Sequence, residues 1–170
     1  MAIALTRIAV AAVLVSAFTL SACTEIPKTA EGFREQAASV GSVDNFEVNR
    51  PLRDVAASFR ERASACLQDL QTISVSGPIS RTMMRKYLIH PTVLVTDRKA
   101  ELTVQALLEA PLKLYEEPAN GTYVLVTRAF PIDVRRTRIE MYGSPFFYDH
   151  LHTAVKGWAS GTSTACPDFS

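Results

Sequence analysis

Two strings in this chain carry side chains that could do chemistry. Asp149-His150-Leu151-His152 places a carboxylate and two imidazoles within four residues. Such a group could move protons, or hold a metal ion if further ligands joined it. On a helix, positions i and i+2 point about 200° apart, so His150 and His152 cannot chelate one ion together. No cysteine or spaced histidine supplies the missing ligands, and the string reads as one surface and one half-buried histidine. Gly157-Trp158-Ala159-Ser160-Gly161 is the second string. It is not G-x-S-x-G, and it closes a predicted helix instead of joining a strand to a helix. A helix end accounts for it. The glycines fall at turns, so no loop is set up to cradle a phosphate. No catalytic residue, metal or cofactor is expected. A hydrolase with scattered site residues is the remote alternative.

Two further clusters suit binding better than catalysis. Arg128, Arg135, Arg136 and Arg138 form a local basic patch that could meet anionic headgroups, peptidoglycan or an acidic partner. The competing explanation is a solvated sheet face paired with Glu101, Glu109 and Glu140. Tyr142, Phe146, Phe147 and Tyr148 gather beside a predicted helix and could line an apolar slot between helix and sheet. Core and hinge packing would use the same residues.

The N-terminus gives an address. Arg7 is followed by an apolar run from Ile8 to Leu20, then small residues, then Cys23. That is the layout of a secretory signal peptide over residues 1–22. The run holds roughly a dozen residues, short of the about 20 that a spanning helix needs. Leu20-Ser21-Ala22-Cys23 resembles the bacterial lipobox at all four positions: a branched apolar residue, two small ones, then cysteine. The resemblance implies a diacylglycerol on the Cys23 sulfur, cleavage after Ala22, and acylation of the new amino group. Several acyl chains on one residue would make dissociation negligible, because each buried methylene contributes about 0.8 kcal/mol. Thr24 stands where an aspartate resembles the inner-membrane retention signal of enteric bacteria. By that resemblance the chain is expected on the outer membrane, facing the periplasm.

With Cys23 assigned to lipid, two of the three cysteines remain, Cys66 and Cys166. An even remainder in an exported protein reads as one disulfide. No Cys-x-x-Cys occurs, which disfavours a thiol oxidoreductase. Of 18 Lys plus Arg, Arg7 lies in the leader, and what remains equals the 17 Asp plus Glu. A neutral mature chain argues against a nucleic-acid partner and against a polybasic membrane patch. Asn120-Gly121-Thr122 formally matches a glycosylation sequon, but a hairpin turn is the better account.

The elements that must position these residues follow from hydrophobic periodicity. Residues 23–44 are mixed polar and predict a lipid-anchored flexible tether, with a transient helix over 31–40 and a reach of about 70 Å. Residues 45–170 predict one domain. A short strand is expected at 46–48. A helix over 52–70 then follows, because Leu52, Val55, Phe59, Ala63, Cys66, Leu67 and Leu70 form one stripe. Ser74 to Pro78 breaks that pattern. Strands follow over 81–90, which Pro91 ends or bulges and which 92–96 could continue, over 100–108, over 122–130 after a turn at Asn120-Gly121, and over 134–142 after a turn at Pro131-Ile132-Asp133. Ser144-Pro145 starts a second helix that Gly161 stops, and Gly157 is placed to let that helix approach the sheet. The expectation is an α+β two-layer sandwich: an antiparallel sheet of about five strands with two helices on one face, in the order β-α-β-β-β-β-α. That order resembles TATA-binding-protein-like and helix-grip folds, and carries nothing about DNA binding.

The favoured function is a membrane-anchored, non-enzymatic module that binds an envelope protein or peptidoglycan, or organises the envelope. The alternative is a module for a lipid or another apolar ligand.

Overall fold

Strict alternation of small and branched apolar residues along the strands builds one sheet. The computed structural model describes residues 25–68, 70–76, 82–109 and 118–169. The elements are α1 (Ala30–Ser39), β1 (Val43–Val48), α2 (Leu52–Cys66), β2 (Leu70–Ser76), β3 (Thr82–Val95), β4 (Ala100–Leu108), β5 (Thr122–Pro131), β6 (Thr137–Tyr142) and α3 (Pro145–Ser160). The strands pair antiparallel in the order β1-β6-β5-β4-β3-β2, a six-stranded sheet. β1 lies at one edge and β2 at the other, so α2 carries the chain across the sheet, and the meander β2–β6 returns it beside β1.

One sheet face makes the core. Ala100, Leu102, Val104 and Ala106 of β4 lie on it with Leu125 and Ala129 of β5 and Ile139 and Met141 of β6. Val55, Phe59 and Ala63 of α2 and Leu151, Val155 and Trp158 of α3 close over them. Burying each large apolar side chain is worth about 1.5–3 kcal/mol. That sum, and not intrinsic propensity, holds two helices of this length. The fold is thus the expected α+β sandwich with α2 and α3 on one face.

Four details differ from the sequence expectation, each for a physical reason. First, residues 30–39 of the expected tether form α1, capped by Thr29, whose Oγ1 accepts from the Gly32 amide at 3.1 Å. α1 docks on the opposite sheet face, where the Phe33 ring lies 6.1 Å from that of Tyr123 and the Arg34 guanidinium 5.8 Å from that of Tyr142. Residues 24–29 alone then separate position 23 from the helix, a reach of about 20 Å. Second, α2 stops at Cys66, and Leu70 opens β2 opposite Leu88. Leu67 stays at the helix end, its amide donating to Ala63 O, but for Leu70 pairing with β3 wins over the helical stripe. Third, β3 runs through Pro91, which sits opposite Val104. β2 pairs only as far as Leu88, so beyond it β3 is an edge strand among the described residues, where a missing N–H costs little. Fourth, Gly157 makes room for the C-terminal tail and not for the sheet: a Cβ there would lie 2.8 Å from the Ser163 Cβ.

Three of the contacts that fasten the tail join it to α2 and α3. Trp158 Nε1 donates to Ala165 O at 2.9 Å, the Thr162 amide donates to Gly157 O at 3.1 Å, and Cys166 is bonded to Cys66. The Cys66 and Cys166 Cα atoms are 5.2 Å apart and the cysteines 100 residues apart in sequence.

Arg50 joins the remaining parts. Its Nη1 donates to Trp158 O at 2.8 Å and Ala159 O at 3.1 Å, and its Nη2 to Asp54 O at 3.2 Å and Ser58 Oγ at 3.0 Å. Its own carbonyl accepts from Thr137 Oγ1 at 2.7 Å. Replacing both Cys66 and Cys166 with serine should lower unfolding free energy by about 4–5 kcal/mol in the chain-entropy description of a loop this long. Arg50→Met should cost about 1.5–3 kcal/mol, the range for hydrogen bonds from a charged group. Urea titration of each variant reads both losses, and an unchanged midpoint would refute the corresponding assignment.

Candidate functional site

The cysteines divide as the sequence suggests in one respect: Cys66 and Cys166 form a disulfide. Cys23 lies outside the described residues. So do the side chains of Phe146 and Phe147, although their backbone belongs to α3.

The aromatic slot does not form from the remaining two residues. Met141 points into the core, so its neighbour Tyr142 points to the other face, under α1, with its hydroxyl donating to Glu140 Oε2 at 3.0 Å. Tyr148 packs on the core beneath α3. Burial, and then neighbouring Tyr87, push the Tyr148 phenol up to about 12. The sheet itself separates Tyr142 from Tyr148. Tyr148 also interrupts α3, with φ −137° and ψ 37°.

The four arginines fall into two groups. Arg128 and Arg138 share the sheet face that α1 occupies and both lie over the Phe130 ring, at 4.6 and 5.3 Å. They are interleaved with carboxylates. Arg128 Nε is 3.6 Å from Glu101 Oε2 and its Nη1 3.9 Å from Glu140 Oε2; Arg138 Nη2 is 3.3 Å from Glu140 Oε1. Lys99 Nζ donates to Glu101 at 3.1 Å. This is a row of alternating charge, close to the paired sheet face weighed above, with Glu101 and Glu140 as partners. Glu109 sits past the opposite end of β4. Arg135 and Arg136 belong instead to the turn between β5 and β6.

That turn is longer than the sequence suggests: a turn is expected over 131–133 with the strand beginning at 134, whereas β6 begins at Thr137. Asp133 builds it. The Arg135 and Arg136 amides both donate to Asp133 Oδ1 at 2.8 Å, and Arg136 Nε donates to Oδ2 at 2.8 Å. These bonds hold the Asp133 carboxyl below its ordinary 3.8, the Arg135 amide contributing most. Ile132 N–H donates to Arg136 O at 2.9 Å and closes the loop. Val134 stands at the apex, 86% exposed, and Ile132 is 39% exposed. Open depressions of about 610 and 520 Å³ flank the apex, the first beside Pro51, Leu52 and Arg53 and the second beside Asn49 and Arg135. The sequence signal was an aspartate two and three residues ahead of the amides it caps, a turn device.

The histidines part company. His150 is exposed, whereas His152 is 5% exposed and its Nε2 has no hydrogen-bond partner among the described residues. Gly143, at φ 138°, leaves the space facing it, since a Cβ there would lie 3.4 Å from His152 Nε2 and 2.7 Å from Val124 O. Among the described residues no serine or carboxylate hydrogen-bonds to Nε2 to make a catalytic pair. Ser160 Oγ donates to Lys156 O at 2.8 Å, as a helix end does. Among the described residues no cluster of three or more His, Cys, Asp or Glu is spaced to hold a metal ion. The chain matches no protein-family model and no curated protein.

Burial first, and then Lys156, hold the His152 imidazole below its ordinary 6.5, against the pull of Asp149 and Asp44. Below 6.5 the unfolded chain therefore takes up a proton that the folded chain resists, and stability falls as pH drops from 6.5 to the depressed value. His152→Leu should flatten that part of a melting-temperature profile. An equal slope in both proteins would show that His152 is not its source.

Proposed function

We propose that this chain is a lipid-anchored protein of a bacterial envelope, held on the outer membrane and facing the periplasm, whose domain works by binding a partner. The observation that carries this is Leu20-Ser21-Ala22-Cys23, placed directly after an apolar run too short to span a bilayer. The Cys66–Cys166 disulfide supports an exported chain, since such bonds persist in oxidising compartments. The apolar-ligand alternative draws less support from the described residues. Tyr142 and Tyr148 lie on opposite faces, and Phe59, Leu102, Ile139 and Trp158 fill the interface between helices and sheet. The hydrolase alternative fares no better, with His152 sealed in the core and His150 on solvent.

Cys23→Ser tests the anchor. The wild-type chain should fractionate with membranes and incorporate a labelled fatty acid, and the variant should do neither. A variant that stayed in the membrane pellet, or kept the label, would overturn the proposal.

A further inference from the structure

We propose that the β5–β6 turn, residues 131–136, is a docking tip for a protein partner that presents an apolar pocket with a carboxylate at its rim. Val134 is the knob. At 86% exposure it stands out from the surface, and Ile132 adds a second apolar contact beside it. The loop that carries them is already ordered. Asp133 takes both amides and the Arg136 guanidinium, the Ile132 and Asp133 amides both donate to Arg136 O, and Arg136 Nη1 lies 3.6 Å from Glu47 Oε2. A preordered apolar knob loses little conformational freedom on binding, which is what gives such residues their effect at interfaces.

Charge selects the rim. The carboxylate of Asp133 is consumed inside the turn, and Glu47 faces Arg136. The Arg135 guanidinium has no partner among the described residues. Arg53 and Asp97 line one side of Val134, so their charges offset there, whereas on the side lined by Asn49 and Arg135 a surface that buries Val134 also meets an uncompensated cation, and a carboxylate answers it.

Two other occupants fit less well. Small-molecule sites enclose their ligand, whereas a protruding valine flanked by open depressions encloses nothing. A bilayer needs more than two aliphatic side chains with a single net positive charge, since each basic residue near an anionic surface contributes only about 1 kcal/mol. The position agrees. α1 meets the sheet at Tyr123 and Tyr142, at one end of β5 and β6, and the turn lies at the other, about 26 Å away along β5. An anchor at position 23 would reach the domain through α1, which meets the sheet at the end remote from the tip. That orientation rests on the lipoprotein proposal; the tip itself does not.

The test uses the full-length chain in its own envelope, with the photoreactive residue p-benzoylphenylalanine in place of Val134 or, as control, of Val40, which is 70% exposed at the end of α1. Irradiation should give a discrete protein adduct from position 134 and none from position 40. The cross-link should map to an apolar residue with Asp or Glu beside it. Arg135→Glu should reduce the adduct by about tenfold or more, and Arg135→Lys should retain it. No adduct, an adduct indifferent to Arg135→Glu, an adduct of two copies of this chain, or one with lipid or peptidoglycan fragments would each overturn the proposal. Fractionation of the same cells separates the two ideas. An adduct on a soluble chain sinks the anchor alone, and a membrane-bound chain without an adduct sinks the tip alone.

Discussion

The guanidinium of Arg50 is the tie on which the architecture depends. The last carbonyls of a helix have no partner within it and carry the negative end of its dipole. In α3 two of them, on Trp158 and Ala159, point at Arg50. The same side chain reaches back into the first turns of α2, and its backbone is tied to the first residue of β6. One residue thus fixes the two helices relative to each other and to the sheet. Gly161, at φ 74°, completes the arrangement, because a Cβ there would lie 3.1 Å from the guanidinium. The disulfide acts at the opposite end of α2, at Cys66, so that helix is fastened at both termini.

Much of the core face could be read from the chain. Alternation over 100–108 and 137–142 places Leu102, Val104, Ile139 and Met141 inward, as found, and Ser144-Pro145 and Gly161 bound α3 closely. Less legible was whatever depends on a competing partner. Leu70 satisfies a helical stripe as well as it satisfies a strand, and only pairing with β3 decides between them. α1 was legible only as a transient helix over 31–40 within the tether, because its apolar sequence is sparse and Ala37 is its one buried residue. It forms because the sheet's second face offers Tyr123 and Tyr142 to Phe33 and Arg34.

For the candidate sites the same logic separates what was legible from what was not. Counting thiols identified the Cys66–Cys166 pair. Proximity in sequence misjudged the aromatic group, because adjacent strand residues face opposite ways and the chain turns a corner at Gly143 between Tyr142 and Tyr148. The basic patch split for a related reason. Arg128 and Arg138 share a strand face, while Arg135 and Arg136 belong to a turn that Asp133 folds. An exposed valine at that turn has no periodic signature, since the pattern that marks strands and helices is silent on loops.

The placement of α1 has a mechanical consequence. Any pull on the N-terminus reaches this ten-residue helix before it reaches the sheet. A helix so short has little stability of its own. Under load it lets go first, and residues 30–41 become slack while the Gly143 amide holds Ser42 O and β1 stays paired with β6 along its whole length. Within the described chain α1 therefore acts as a mechanical fuse ahead of the sheet. Its other end is locked by the bond at Cys166, so strain entering from the N-terminus is spent on extension before it can unravel the core.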